Sequence, residues 1–405
     1  MVPLFEMKSV PVRQRHHNSW QMGQKQLLLA IVLAAFILCQ LAIAMPDRIS
    51  GSGYGLTFPI FQRYPELLRQ LLGLKETLLF DITRLRLRPT VRLWRGAKIR
   101  LEYEMDFVVS PDSIPLNPFY DATFGGQLLD LRWLPVDEAK FKFFHFIDRL
   151  FFQQRFAGWR ITLGRQRISW GTGRIWRPMD LFNPINPLRF DKLEREGIDA
   201  LTLHAFPSPL STIAVVYNPE QQWQYHNVAI YGQLLWREWD WAALITRHRN
   251  RWQFAASATG NLGEATLRFE ALWNASTGLV QWVMGIDHQL TPSFYAAVEI
   301  FANYPPDDAT PALLFGEVFS NEFYRGHWYS AVLMQYQLTP AASGSLLHLQ
   351  NWSDGSGILS GEIRYDLSGQ ADIRAGIQVP YGDRIAEFAL LPLSAFLRFS
   401  YFFTV

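Results

Sequence analysis

Ile82–Phe107 reads ITRLRLRPTVRLWRGAKIRLEYEMDF, and its period is two. Leu85, Leu87, Val91 and Leu93 alternate with Arg84, Arg86, Arg88 and Arg92. After Arg95-Gly96-Ala97, residues Ile99, Leu101, Tyr103, Met105 and Phe107 alternate with Lys98, Arg100, Glu102, Glu104 and Asp106. Successive side chains of a strand point to opposite faces, so each strand has one apolar and one charged face. In a soluble sandwich the apolar face would meet another sheet and the charged face water. In a membrane barrel the apolar face meets lipid and the charged face lines a wet interior. With 95–97 as a three-residue turn, like faces oppose when Arg88 meets Glu104, Arg86 meets Asp106 and Arg92 meets Arg100.

One hairpin does not separate the two readings; repetition does. Strand-like segments follow at 148–156, 159–168, 197–206, 211–217, 227–236, 239–248, 251–259 and 264–273, then at 279–290, 294–303, 327–338, 343–352, 357–367, 370–379 and 393–403. In one of them Ala265, Leu267, Phe269, Ala271 and Trp273 alternate with Glu264, Arg268 and Glu270. Short turns (261–263, 291–293, 368–369) contrast with long connections (110–144, 169–195, 304–326, 380–392). No helical segment long enough to cover a sheet intervenes, and segments of this length suit a tilted membrane crossing. Trp94, Tyr103, Trp159, Trp236, Trp239 and Trp328 near strand ends fit two interfacial belts. If long loops share one end, the chain needs a further strand before Ile82, within Tyr54–Phe61 or Leu74–Phe80. The expected fold is therefore all-β: a transmembrane, antiparallel, up-and-down β-barrel of eighteen strands, with sixteen as the alternative. Pro65–Leu72, with Gly73 just beyond, predicts a two-turn helix that plugs the interior or lies at the tight-turn rim.

The start of the chain has a different texture. Lys25 precedes the apolar run Leu27–Ala44, which ends in the small-x-small site Ala42-Ile43-Ala44. This predicts a secretory signal peptide over 1–44, an N-terminal segment over 45–80 and a barrel over 81–405. Cys39 is the one cysteine of the chain and lies inside the signal, which leaves no disulfide or thiol chemistry to the exported part. Of 38 Lys+Arg and 36 Asp+Glu, the signal holds four and one. The remainder is near neutral, which argues against nucleic acid as a partner.

A second stretch breaks the alternation: Leu163–Pro187, LGRQRISWGTGRIWRPMDLFNPINP. Proline donates nothing to a ladder, and the Asn-Pro steps favour turns, so this is a structured loop leaving a strand. Its GRQ…WG…DLFNP pattern resembles a run in Gram-negative outer-membrane porins of the alginate-export family. Val379–Pro392, VPYGDRIAEFALLP, looks like a second signature of that group. The resemblance implies an outer-membrane channel for anionic or sugar-like solutes. Lipid, lipopolysaccharide and the solute would be its partners, as would the insertion machinery, which reads an aromatic last strand. Leu397, Phe399, Tyr401 and Phe403 form such a face, although Thr404 and Val405 follow it.

The candidate pore-lining residues are Arg84, Arg92, Arg100, Arg160, Arg165, Arg167, Arg174 and Arg177, with Trp170 and Trp176. If the loop folds inward, these guanidiniums make a constriction suited to carboxylates or phosphates. The tryptophans either stack on sugar rings or wedge the loop against the wall. Two Trp with Ile175, Leu181 and Phe182 need something to bury against, which predicts an inward fold. Asp180, Asn183 and Asn186 are assigned structural roles bracing turns. An alternative function is a surface polysaccharide-binding barrel with a blocked interior, whose loop 218–226 carries Trp223 and Tyr225.

Other chemistry has no support in the pattern. The histidines lack metal-binding spacing, no serine sits in a G-x-S-x-G context, and Gly171-x-Gly173 does not open a helix. No cofactor and no catalytic residue are expected. Opposite charges gain when they face each other across a ladder. That predicts Arg364 opposite Asp372 and Glu362 opposite Arg374 in the 357–379 hairpin. Leu85, Leu87, Leu101, Met105, Phe269, Trp273, Ile363, Ile373 and Phe399 are expected to face lipid.

Overall fold

The computed structural model describes residues 48–112, 127–183, 196–304 and 324–404. The chain divides into two units, Met1–Ser50 and Gly51–Val405. The predicted signal falls in the first unit and outside the described residues; Asn186, in the second unit, also lies outside the described residues.

Strand alternation dominates the second unit. The strands are β1 (Ile49–Arg63), β2 (Thr77–Trp94), β3 (Ala97–Val109), β4 (Arg132–Asp137), β5 (Phe141–Phe156), β6 (Trp159–Gln166) and β7 (Ile198–Ser208). Next come β8 (Ser211–Asn218), β9 (Asn227–Trp236), β10 (Trp239–His248), β11 (Arg251–Leu262), β12 (Ala265–Asn274) and β13 (Val280–Thr291). The last are β14 (Phe294–Tyr304), β15 (Trp328–Thr339), β16 (Ala342–Asn351), β17 (Gly357–Ser368), β18 (Ala371–Tyr381) and β19 (Leu393–Thr404). Each wall strand pairs antiparallel with its neighbours, and β1 closes on β19, with Ser52 opposite Thr404 and Arg63 opposite Leu393. β3 pairs directly with β5, while the short β4 lies along the outer half of the opposite edge of β5. The result is a closed antiparallel barrel of eighteen wall strands.

The additional strand is β1, at the first of its two expected places; Leu78–Phe80 instead belongs to the start of β2. Two-residue turns gather at one end, with Arg249-Asn250 at the other. At 237–238 both central residues have positive φ (50° and 66°), which matches the right-handed twist of the flanking strands. The helix α1 (Glu66–Leu72) ends at Gly73, whose φ of 65° lets its N–H reach the Arg69 carbonyl. Its expected position needs correction. Because β1 runs away from the tight-turn end, α1 joins β1 to β2 at the long-loop end, with Glu66 3.6 Å from Arg384.

The two predicted charge registers are also corrected. In the first hairpin Trp94 meets Ala97, so the turn is Arg95-Gly96 rather than three residues. Arg84 then faces Asp106, Arg86 faces Glu104 and Arg92 faces Lys98. In the β17–β18 hairpin Ser368 meets Ala371, which places Arg364 directly opposite Arg374 and Asp366 opposite Asp372. The tight turn sets the register, and the long guanidinium stems relieve it diagonally. Arg364 reaches Asp366 at 2.7 Å and Asp372 at 3.5 Å; Arg374 reaches Glu362 and Asp372 at 3.3 Å each.

The nine residues expected to face lipid all lie on the outer parity, and Phe269, Trp273, Ile363 and Phe399 are 40–60% exposed. Tyr103 departs from the expected belt: it is buried and its hydroxyl bonds His145 Nδ1 at 2.8 Å. Trp94, Trp159 and Trp236 stand exposed near the tight turns, and Trp273 and Trp328 near the other end. Over the twelve strands β8–β19, Arg247 is the one Arg, Lys, Asp or Glu on the outer face among the described strand residues.

Candidate functional site

The interior is organised by the loop that follows β6. At Gln166 the pairing with β7 ends at Ile198, and 167–183 turns inward. Two wall carboxylates hold it there. Glu270 on β12 accepts the backbone N–H groups of Thr172 (2.8 Å), Gly173 (3.4 Å) and Met179 (2.5 Å). Glu299 on β14 accepts those of Arg174, Ile175 (2.8 Å) and Trp176 (3.2 Å). Charge-assisted bonds of this kind are the strong ones, and here they satisfy a run of loop amides that would otherwise be buried unpaired. The glycines make the approach possible. Gly171 has φ 101°, and a Cβ there would lie 2.8 Å from Glu270 Oε2; a Cβ on Gly173 would lie 1.9 Å from the Trp176 carbonyl oxygen.

Apolar packing completes the anchorage. Ile168, Met179 and Phe182 bury against the inward side chains Ala214, Val216, Ala229, Leu244 and Leu272. Ile175 and Trp176 bury against Val283, Phe301 and Tyr329. Both tryptophans pack against aromatic side chains of the wall, as the wedge alternative expects. Trp170 lies flat on Tyr231 (centroids 4.9 Å apart, planes at 5°), and Trp176, 3% exposed, lies on Phe301 at 5.4 Å. Asp180 is buried and accepts the Ser169 hydroxyl at 3.0 Å. Asn183 ties the two ends of the loop: its Oδ1 accepts Ile168 N–H at 2.8 Å and its Nδ2 donates to the Glu196 carbonyl at 2.5 Å.

The predicted cations separate into three groups. Arg84 is corrected from a free interior charge to a buried, neutralised one, 2% exposed, bonding Asp106 at 2.7 Å and Glu104 at 3.2 Å. It belongs to a network in which Arg86 meets Glu102 at 2.7 Å and Glu104 at 2.6 Å and also touches Asp148. Arg165 is corrected as well. It shares the outer parity of Leu163, pairs with Asp199 at 2.9 Å, and also donates to the carbonyl of Leu129. Asp199 in turn accepts the amides of Leu128 and Leu129, so this pair fastens 127–129 over the outside of the wall.

The third group faces the interior. Arg100 pairs with Glu102 at 2.7 Å, but Arg92, Lys98, Arg155 and Arg160 have no acidic partner among the described residues. Arg160 and Arg155 lie over the Phe206 ring at 5.3 and 5.9 Å. From the loop, Arg174 reaches Asp287 at 3.1 Å and sits 5.7 Å over Tyr295, with 42% of its side chain exposed. Arg177 donates to the Gly173 carbonyl at 2.5 Å. Burial lowers the Arg177 guanidinium below its ordinary value; Glu270 and Glu299 oppose that, and the neighbouring Arg167 and Arg174 cations add to it. Arg167 itself is exposed.

A second loop enters the same interior and was not assigned a role from the sequence. Residues 382–392 place Phe388, fully buried, against Tyr329 in the cluster that holds Trp176. Glu387 accepts the Tyr329 hydroxyl at 2.7 Å, Asn351 Nδ2 at 3.0 Å and Arg325 N–H at 3.2 Å. Among the described residues no group of His, Cys, Asp and Glu could hold a metal ion.

No family model and no curated protein matches this sequence. Among solved structures the chain is similar to Pseudomonas aeruginosa OccK5 (OpdH), at 10% identity and TM-score 0.57, covering 89% of this chain and 99% of that one. Acinetobacter baumannii OccAB4 gives 7% and 0.59 over 89% and 99%, and OccAB2 of the same organism 10% and 0.58 over 88% and 98%. At such identities the likeness is one of fold.

Proposed function

We propose that this barrel is an outer-membrane channel for anionic or sugar-like solutes, narrowed by the loop 167–183. The observation that carries the solute reading is the cation excess on one interior wall. Arg92, Lys98, Arg155 and Arg160 face inward without carboxylate partners, and Arg174 is presented from the loop. Unpaired guanidiniums beside water attract carboxylates and phosphates and repel cations. The outer face of β8–β19, where Arg247 is the one charged residue among the described strand residues, supports insertion in lipid, where a charge near the midplane costs roughly 2–4 kcal/mol. The likeness in fold to OccK5 and OccAB4 supports a barrel of this kind. The GRQ…WG…DLFNP resemblance to alginate-export porins supports an acidic saccharide among the solutes. In this reading the long-loop end faces the outside of the cell, and a cleaved signal over 1–44 delivers the chain.

Single-channel recording in planar bilayers tests this. Open steps with a preference for anions are expected. Arg92→Gln/Arg160→Gln/Arg174→Gln should lower the anion-to-cation permeability ratio while the barrel still inserts. An unchanged ratio would reject these residues as the selectivity determinants.

One observation favours a second reading. Three apolar clusters occupy the interior, as suits a closed barrel whose loops hold polysaccharide. Silent bilayers with retained glycan binding would select that reading.

A further inference from the structure

The wall opposite in character to the cationic one is β13–β18. At its tight-turn end lies a cavity of about 380 Å³ lined by Gln289, Tyr295, Gln335, Gln337, Ser343 and Ser345. That volume is at the lower end of the range typical of small-molecule sites. Gln335 lies opposite Ser345 and Gln337 opposite Ser343 on the β15–β16 ladder, so two amide–hydroxyl pairs stand side by side on the inner face. The side chains of Gln335, Ser343 and Ser345 make no hydrogen bond with the described residues. Gln337 donates to the carbonyls of Thr339 (2.6 Å) and Ala342 (3.2 Å), which leaves its own carbonyl oxygen to accept. Tyr295 lies under the Arg174 guanidinium, which places the cavity directly on the tight-turn side of the inward loop.

Charge decides what this surface suits. Arg364 and Arg374 reach the cavity together with Glu362, but they are engaged with Glu362, Asp366 and Asp372. The neighbouring Arg398, opposite Arg374, brings the count to three cations against three carboxylates. On its loop side Arg174 and Arg268 share Asp287, so the guanidiniums that reach the cavity are engaged with carboxylates, unlike those of the Arg92–Arg160 wall. What remains is a dense array of amide and hydroxyl donors and acceptors, the complement of a solute rich in hydroxyl groups.

We infer that this cavity is a binding site for uncharged, polyhydroxylated solutes of mono- to disaccharide size, a site distinct from the cationic wall. The inference rests on the channel reading. Its test is the block of single-channel current by sucrose in the full-length protein. Wild type is expected to show saturable interruptions. Gln335→Leu/Ser345→Ala, which removes one amide–hydroxyl pair, should raise the half-blocking concentration at least tenfold. It should leave the anion-to-cation permeability ratio and the heat-modified gel mobility unchanged. Absence of saturable block in a conducting wild type, or an equal half-blocking concentration in the variant, would overturn the site. Absence of any conducting step removes the channel reading, and the site with it, and is told apart by that silence.

Discussion

Glu270 and Glu299 are the anchors on which the interior loop depends, and replacing both by glutamine is the sharpest perturbation available. Glutamine keeps the shape but turns one acceptor oxygen into a donor that faces the loop amides. In Glu270→Gln the bonds to Thr172 and Gly173, or the one to Met179, must be lost, and the survivors become neutral. Taking roughly 1.5 kcal/mol for a bond to a charged group and about half that for a neutral one, loss of the Met179 bond and weakening of the other two reduce docking by about 3 kcal/mol. That is on the order of a hundredfold in the open population, since 1.4 kcal/mol is tenfold. Glu299→Gln does the same to the 174–176 turn. Burial of Ile168, Ile175, Trp176, Met179 and Phe182 opposes release with about 2 kcal/mol per side chain, so the single variants should remain docked on average. Trypsin cleavage after Arg174 reads the transiently open population when reclosing is fast. The expected order of cleavage rate is wild type, then either single variant, then the double variant, with raised single-channel conductance in the double. If the double variant matches wild type in cleavage and conductance, the two carboxylates do not hold the loop.

Other expectations follow from the same geometry. Burial, with Asp354 nearby, pushes the Glu387 carboxyl up to about 7 despite the hydrogen bonds it accepts. Its docked-state value lies above the free value, so docking of 382–392 is strongest below about pH 4.5 and weakens as pH rises to about 7, by about 3 kcal/mol at most. Tryptic cleavage after Arg384 should therefore rise between pH 5 and 8, and Glu387→Gln should remove the dependence. Phe269→Arg, on the outer face near the middle of β12, should cost about 2–4 kcal/mol in lipid, whereas Thr266→Arg on the inner face should cost far less. Equal loss of heat-modifiable mobility in both would contradict the assignment of faces.

Much of the wall was legible because its signal is local. Leu85 and Arg84, or Phe269 and Glu270, differ in face by the period of the strand alone, and parity calls for a further strand before Ile82. The inward fold of 167–183 was legible for a similar reason: Trp170, Ile175, Trp176 and Phe182 need an apolar surface, and the wall is the nearest one. What holds the loop was not legible. Glu270 reads as one more interior charge, and nothing in the sequence says that its partners are backbone amides some 90 residues earlier rather than an arginine. Arg165 misled because it was grouped with the loop that follows it, although the period of β6 puts it on the face of Leu163, where it pairs with Asp199. The role of 382–392 stayed hidden because a buried Glu387 and Phe388 acquire their meaning only from Tyr329 and Asn351 across the interior.

The two failed registers have a common cause. Cross-strand charge pairing is worth up to about 1 kcal/mol per facing pair, and on that basis Arg364 opposite Asp372 looked preferable to Arg364 opposite Arg374. The observed register sacrifices the facing pair and keeps a two-residue turn at Gly369-Gln370. Inside a barrel the electrostatic loss is small because guanidinium stems span the diagonal: Arg364 still reaches Asp372, and Arg374 still reaches Glu362. A slip by two residues leaves every face unchanged, so the apolar pattern does not discriminate between the two registers either. Turn geometry is then the deciding term. The same holds at Arg95-Gly96, where shortening the turn by one residue brought Arg84 onto Asp106 and Arg86 onto Glu104. That shift converted Arg84, predicted to face solute, into wall structure and left Arg92 opposite Lys98. The cation excess that the channel reading relies on is thus a consequence of register, fixed by the turn that precedes it.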